Sequence, residues 1–203
     1  MSQRSNRIFL CIFAAVLLAV AGCATTPPPT FYQLEEPAGT QLSGLERGIA
    51  IGVGPVEIPE YLNRAQIVTR ESANELKLAE FDRWAEPLND NFTRVLSENL
   101  SDLCVEPVMI FPWRAPIRID FKVELGVIRF DGKLGENITL IVLWGIFGEG
   151  GDKLVVAKRS VYVEPLKDDT YETLVMAKSR AVSKLSRDIA ASINSILKKD
   201  SKL

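Results

Sequence analysis

The side chains best suited to covalent chemistry are three cysteines, Cys11, Cys23 and Cys104. Cys23 has the most distinctive setting. It follows Val20-Ala21-Gly22, small residues that fit a protease pocket, and resembles the acceptor cysteine of a bacterial lipobox. The expected processing is cleavage between Gly22 and Cys23, then a diacylglycerol on the Cys23 sulfur and an N-acyl chain such as palmitate on the new amino terminus. One acyl chain binds a membrane marginally, at about 0.8 kcal/mol per buried CH₂, whereas two or more hold durably. No other cofactor and no metal is expected. Cys11 lies in the segment to be removed, so Cys104 is left without a disulfide partner and the core alone must stabilise the fold.

Other chemistry is poorly supported. The chain has no histidine, which excludes a Ser-His-Asp or Cys-His nucleophile and histidine-rich zinc sites. The acidic pairs Glu35-Glu36 and Asp168-Asp169, and Asp82 near Glu86, read as solvated loop or helix-cap residues. Neighbours at i, i+1 do not face each other across a cleft. Cys104 has no histidine to activate it and reads as an inert thiol. The glycine-rich run Gly48–Gly54 opens into Pro55 rather than a helix, so it reads as a bent strand and not a nucleotide loop. Gly148–Gly151 reads as a turn. With a net charge of −2, nothing suggests a nucleic-acid partner.

The positioning elements begin at the N-terminus. Arg4 and Arg7 precede an apolar run over 8–20 of about 13 residues, or roughly 20 Å as a helix. That is short of a ~30 Å bilayer core and suits a signal peptide over 1–22. Residues 23–30 then form a lipidated, proline-rich tether, which keeps the domain within about 20–25 Å of its lipid. Ala24 follows the cysteine in place of the aspartate that commonly retains lipoproteins at the inner membrane. The expected location is therefore the periplasmic face of the outer membrane. The terminal Ser201-Lys202-Leu203 matches a peroxisomal address, of no use to an exported bacterial protein.

Residues 31–203 read as one domain. Strands are expected at Phe31–Leu34, Gly48–Val56, Gln66–Arg70, Glu75–Leu78 and Val108–Phe111. Ile117 to Leu125 alternate strictly, and the phase changes near Gly126, so that Ile128 and Phe130 carry the apolar side beyond a bulge. Ile138–Phe147 is apolar on both faces and reads as a central strand, with Leu154–Val163 its hairpin partner. Leu88–Leu103 carries an apolar stripe behind Pro87, as does a final helix starting at a capping-box-like Asp169 and Glu172. The fold class is α/β or α+β: a mixed sheet of about six or seven strands with two main amphipathic helices.

Tyr61, Leu62, Trp84, Trp113 and Trp144 remain as candidate partner or oligomer contacts. Aromatics beside prolines can anchor interfaces, and they can equally lid the ends of a core. At these residues the chain resembles the ABC-type transport auxiliary lipoprotein family of the PqiC/YmbA type. The resemblance is carried in order by the lipobox, Phe31–Leu34, Ile58–Arg64, Gln66–Arg70, Trp84-Ala85-Glu86-Pro87-Leu88, Phe111-Pro112-Trp113, Trp144, and the last helix with Ala177, Leu185 and Ile189-Ala190. It implies a non-enzymatic docking component, forming a homo-oligomeric ring, for MCE-domain proteins that pass lipids between inner and outer membranes. Two other readings compete: a structural envelope-assembly lipoprotein without a transporter partner, and a hydrolase using carboxylates.

Overall fold

The computed structural model describes residues 27–35, 49–103, 108–113 and 118–200. The signal segment, Gly22, Cys23, Glu36 and Cys104 lie outside the described residues. Among the described residues eight strands form: β1 (Thr30–Tyr32), β2 (Ile51–Glu57), β3 (Gln66–Arg70), β4 (Leu76–Trp84), β5 (Met109–Ile110), β6 (Phe121–Lys133), β7 (Asn137–Gly148) and β8 (Lys153–Pro165). Two helices, α1 (Leu88–Leu103) and α2 (Tyr171–Asp200), complete the α+β domain. The expected single sheet is two. A five-stranded sheet has the order β5-β2-β6-β7-β8, and a three-stranded sheet the order β1-β4-β3.

Period-two alternation explains the large sheet. Phe121, Val123, Leu125 and Val127 of β6 point to the core with Ile138, Leu140, Val142, Trp144 and Ile146 of β7. The phase slip lies between Val127 and Arg129, where the pairing with β7 shifts register. The extra residue is Ile128, which is exposed, so Phe130 alone carries the apolar side beyond the bulge. β7 is interior but not central; β6 holds the middle position.

Both helices pack on the core face. α1 buries Leu88, Phe92, Val95, Leu96, Leu100 and Leu103 at helical spacing. Asn99, within that stripe, donates to Ser186 Oγ of α2 at 3.2 Å and joins the helices through a polar contact. The cap of α2 differs from expectation. Thr170 Oγ1 accepts from the Thr173 backbone N–H, and Asp168 Oδ1 accepts from the Thr170 N–H and the Thr173 hydroxyl, whereas Asp169 and Glu172 form no box. α2 is fastened to the edge strand β8 by Tyr162–Asp188, Lys158–Ser192 and Glu164 with Arg180 and Lys184.

The two sheets meet at one buried charge. Asp131 of β6 has a fully buried side chain. It accepts from Arg70 Nε and Nη2 of β3 at 2.7 and 2.9 Å, from Arg129 Nε at 2.8 Å and from Tyr61 Oη at 2.8 Å. Burial pushes this carboxyl up, but the hydrogen bonds from Arg70, Tyr61 and Arg129 outweigh it and hold it below the ordinary carboxylate value. Its contribution is therefore present above the unfolded pKa and is lost only as pH falls through the lower folded value. Nearby, Lys178 of α2 is completely buried. Its Nζ donates to the Phe130 carbonyl at 2.7 Å and lies 4.4 Å from the Phe130 ring centroid and 5.3 Å from that of Trp84.

Two outcomes follow from this node. Asp131→Ala strands two guanidinium groups and a phenol, and should lower the urea unfolding free energy by about 3–5 kcal/mol at neutral pH. Burial lowers the Lys178 ammonium from 10.5 to about 7. Between those values the unfolded chain binds the extra proton, so stability should rise with pH above 7, by up to about 1.4 kcal/mol per pH unit. The rise should fade near pH 10, where Tyr61 and Tyr162, both pushed upward by burial and a carboxylate, favour the protonated native state. Urea midpoints from pH 6 to 9 check this, and Lys178→Met should flatten the profile.

Candidate interaction surface

Four of the five candidate contact residues are committed inside the chain. Trp84 ends β4, is buried, and lies against Lys178. Trp144 points to the core face of β7, donates from Nε1 to Ser160 Oγ at 3.0 Å and carries Lys158 Nζ 5.2 Å from its ring. Leu62 is buried, and Tyr61 is half-buried and held by Asp131. These positions fit a core and lid role.

Trp113 differs. It is half-buried, next to exposed Ile110 and Phe111, and stacks edge-on against Phe111 with ring centroids 5.2 Å apart. The glycine-rich strand β2 makes room for this pair. A Cβ on Gly52 would sit 2.6 Å from the Trp113 ring, and a Cβ on Gly54 would sit 2.8 Å from Phe111 Cβ. Gly54 also holds φ at +120°, which disfavours any other residue. Gly52 and Gly54 therefore serve close packing and not phosphate binding.

A surface absent from the sequence reading is the second face of the large sheet. Among the described residues two helices, each about 10–12 Å across, cover one side of five strands spaced about 4.8 Å apart, and no described helix lies on the other side. Leu143, Leu154, Val161 and Val163 stand there 48–54 % exposed. Between them runs a groove of about 530 Å³ over Gly126, Gly145 and Ala157, bordered by Leu143 and Phe147. Glu57 and Arg159 flank it, and neither side chain makes an ion pair or hydrogen bond among the described residues. A contiguous apolar patch of this kind marks an interaction site. The available clue was that β7 is apolar on both faces.

The described members of the acidic set serve local contacts. Asp82 accepts from Tyr32 Oη at 2.9 Å, Glu86 from Asn91 and Arg94, and Asp168 caps α2. Among the described residues no group of three His, Cys, Asp or Glu is placed to hold a metal, and no helix is long and apolar enough to cross a membrane. The contrast between the two tryptophans is measurable. Trp84→Ala should cost about 3–5 kcal/mol of stability, and Trp113→Ala about 1–2 kcal/mol because part of its surface is already wet. Chemical denaturation of the two variants checks the ranking.

The fold has solved relatives. A crystal structure described as an uncharacterized protein superimposes with a TM-score of 0.68 at 19% identity, covering 82% of this chain and 99% of that one. A protein from Xanthomonas campestris of family DUF330 gives 0.64 at 18% identity, covering 89% and 100%. At these identities the likeness is one of fold. No curated protein matches the sequence significantly. The profile of the ABC-type transport auxiliary lipoprotein component matches residues 32–190, from β1 into the last helix. The chain belongs to the ABC-type transport auxiliary lipoprotein family.

Proposed function

We propose that this protein is an outer-membrane-anchored periplasmic lipoprotein that docks an MCE-type ABC lipid transporter, moving lipids between the two membranes and supporting envelope integrity. The observation that carries the reading is the family match over residues 32–190, beginning just after a lipobox-like Val20-Ala21-Gly22-Cys23. Family membership itself denotes an auxiliary transport component and not an enzyme. The acyl chains on Cys23 hold the domain at a bilayer, and the short proline tether keeps it there, since an extended run of seven residues spans roughly 20–25 Å. Such a domain acts by presenting a surface to a partner that crosses the periplasm. Several copies arranged as a ring would surround the end of that partner.

Two measurements test this. Affinity-tagged protein solubilised from envelopes in mild detergent should recover an MCE-domain protein; an intact transporter without this chain would overturn the docking role. Cys23→Ser should abolish acyl labelling and release the protein from the outer-membrane fraction. Retention of that variant at the outer membrane would refute the anchor.

A further inference from the structure

We propose that the free edge of β8 takes an extended, acidic segment of the transport partner as an added strand of the large sheet. This deepens the docking role proposed above and rests on it for the source of the segment. β8 ends the order β5-β2-β6-β7-β8, so among the described residues no strand lies beyond it. Which of its backbone groups are free follows from one hydrogen bond. The Leu166 N–H donates to the Glu136 carbonyl at 3.0 Å, and these two residues stand opposite each other, one step beyond the Asn137–Pro165 pair. In an antiparallel ladder the hydrogen-bonded pairs recur at every second residue. Glu164, Tyr162, Ser160 and Lys158 therefore turn their N–H and C=O toward β7, and Val163, Val161, Arg159 and Ala157 turn theirs outward.

Pro165 falls in the outward set, where a residue without an N–H costs the ladder nothing. Its carbonyl, also outward, accepts from Arg180 Nη2 at 2.7 Å. From Ala157 to Val163 there is no such cover among the described residues. Each outward residue leaves an N–H and a C=O without a backbone partner, over a stretch of about 20 Å. The side chains of this outward set stand on the uncovered face of the sheet, where Val161 and Val163 are exposed. A peptide laid along the edge satisfies the backbone groups, and its alternate side chains meet the two valines on one face and Tyr162, Ser160 and Lys158 on the helix side.

Charge selects the occupant. The edge carries Lys158 and Arg159, and α2 beside it adds Arg180 and Lys184, against the carboxylates of Glu164 and Asp188. This excess of cations stands on a chain whose net charge is −2. The Arg159 side chain makes no ion pair or hydrogen bond among the described residues. A second copy of β8 would bring the same lysine and arginine against their counterparts, and cations on an edge strand discourage such pairing. A bilayer core has no donors or acceptors to satisfy the exposed backbone. An extended segment with apolar side chains on the open face and carboxylates toward α2 meets both demands.

The test uses the full lipidated chain in neutral detergent micelles. The probe is a fluorescein-labelled peptide of about nine alternating valine and glutamate residues, with binding read by fluorescence anisotropy. It should bind with a Kd of about 1–100 μM, and a valine–lysine peptide at least about tenfold more weakly. N-methylation of the valine nitrogens, which face β8, should abolish binding. N-methylation of the glutamate nitrogens, which face away, should leave it within about threefold. Val161→Pro removes an outward N–H and no bond to β7, so it should weaken binding about tenfold or more while the thermal unfolding transition is kept. Arg159→Glu should narrow the preference for glutamate over lysine about fivefold or more. An acidic peptide that does not bind, or equal binding by the two methylated peptides, would overturn the proposal. So would displacement of the peptide by phosphatidylglycerol in the micelles, which gives the edge to the membrane. Loss of peptide binding as the protein approaches about 100 μM gives it to a second copy and overturns the proposal as well. Recovery of the MCE protein is read separately, so a peptide that fails while that protein is recovered sinks the edge and leaves the docking role standing.

Discussion

Asp131 is the charge around which the layers are arranged. A carboxylate withdrawn from water is tolerable only when hydrogen bonds and opposite charge replace its hydration. Here the replacements come from separate parts of the chain: Arg70 from the small sheet, Tyr61 from the turn before it, and Arg129 from the same strand. No one element satisfies the group, so all must be in place together. Lys178 extends this demand to α2, since its ammonium finds a carbonyl and two ring faces there but no carboxylate within ion-pair distance among the described residues. The docking of the three-stranded sheet onto the five-stranded one follows from these contacts.

The second organising fact is a shortage of cover. Both helices lie on one side of the large sheet, and α2 is tied to β8 by Tyr162–Asp188, Lys158–Ser192 and the ion pairs of Glu164 with Arg180 and Lys184. The opposite side keeps Leu143, Val161 and Val163 in water. Glycines shape this side differently along its width. Gly52 and Gly54 are filled by Trp113 and Phe111, whereas Gly126 is left open.

This arrangement agrees with an auxiliary component of an ABC-type transport system. The family is one of transport auxiliary lipoproteins. The distinctive features of the described residues are surfaces: a broad apolar sheet face, and a smaller patch at Ile110, Phe111 and Trp113 beside the first turns of α1. The chain's proposed work is to be in the right place and to present those surfaces.

Much of this was legible in residue order. The limits of α1, β3 and the β7–β8 hairpin follow from local periodicity, proline and glycine, because those signals act within a few residues. The proposed lipid site is likewise a local pattern at Cys23, and the family resemblance was carried by short motifs in sequence order. What only the tertiary structure decided is long-range. β4 runs on to Trp84 because its far end pairs with β1 and Gln66. Tyr61, Trp84 and Trp144 turn inward because Asp131, Lys178 and Ser160 wait for them from distant positions. The open sheet face shows the same limit, since an apolar strand has the same composition whether its second face is covered or bare. The cover comes from elements far away in the chain, and their number and side are set by packing.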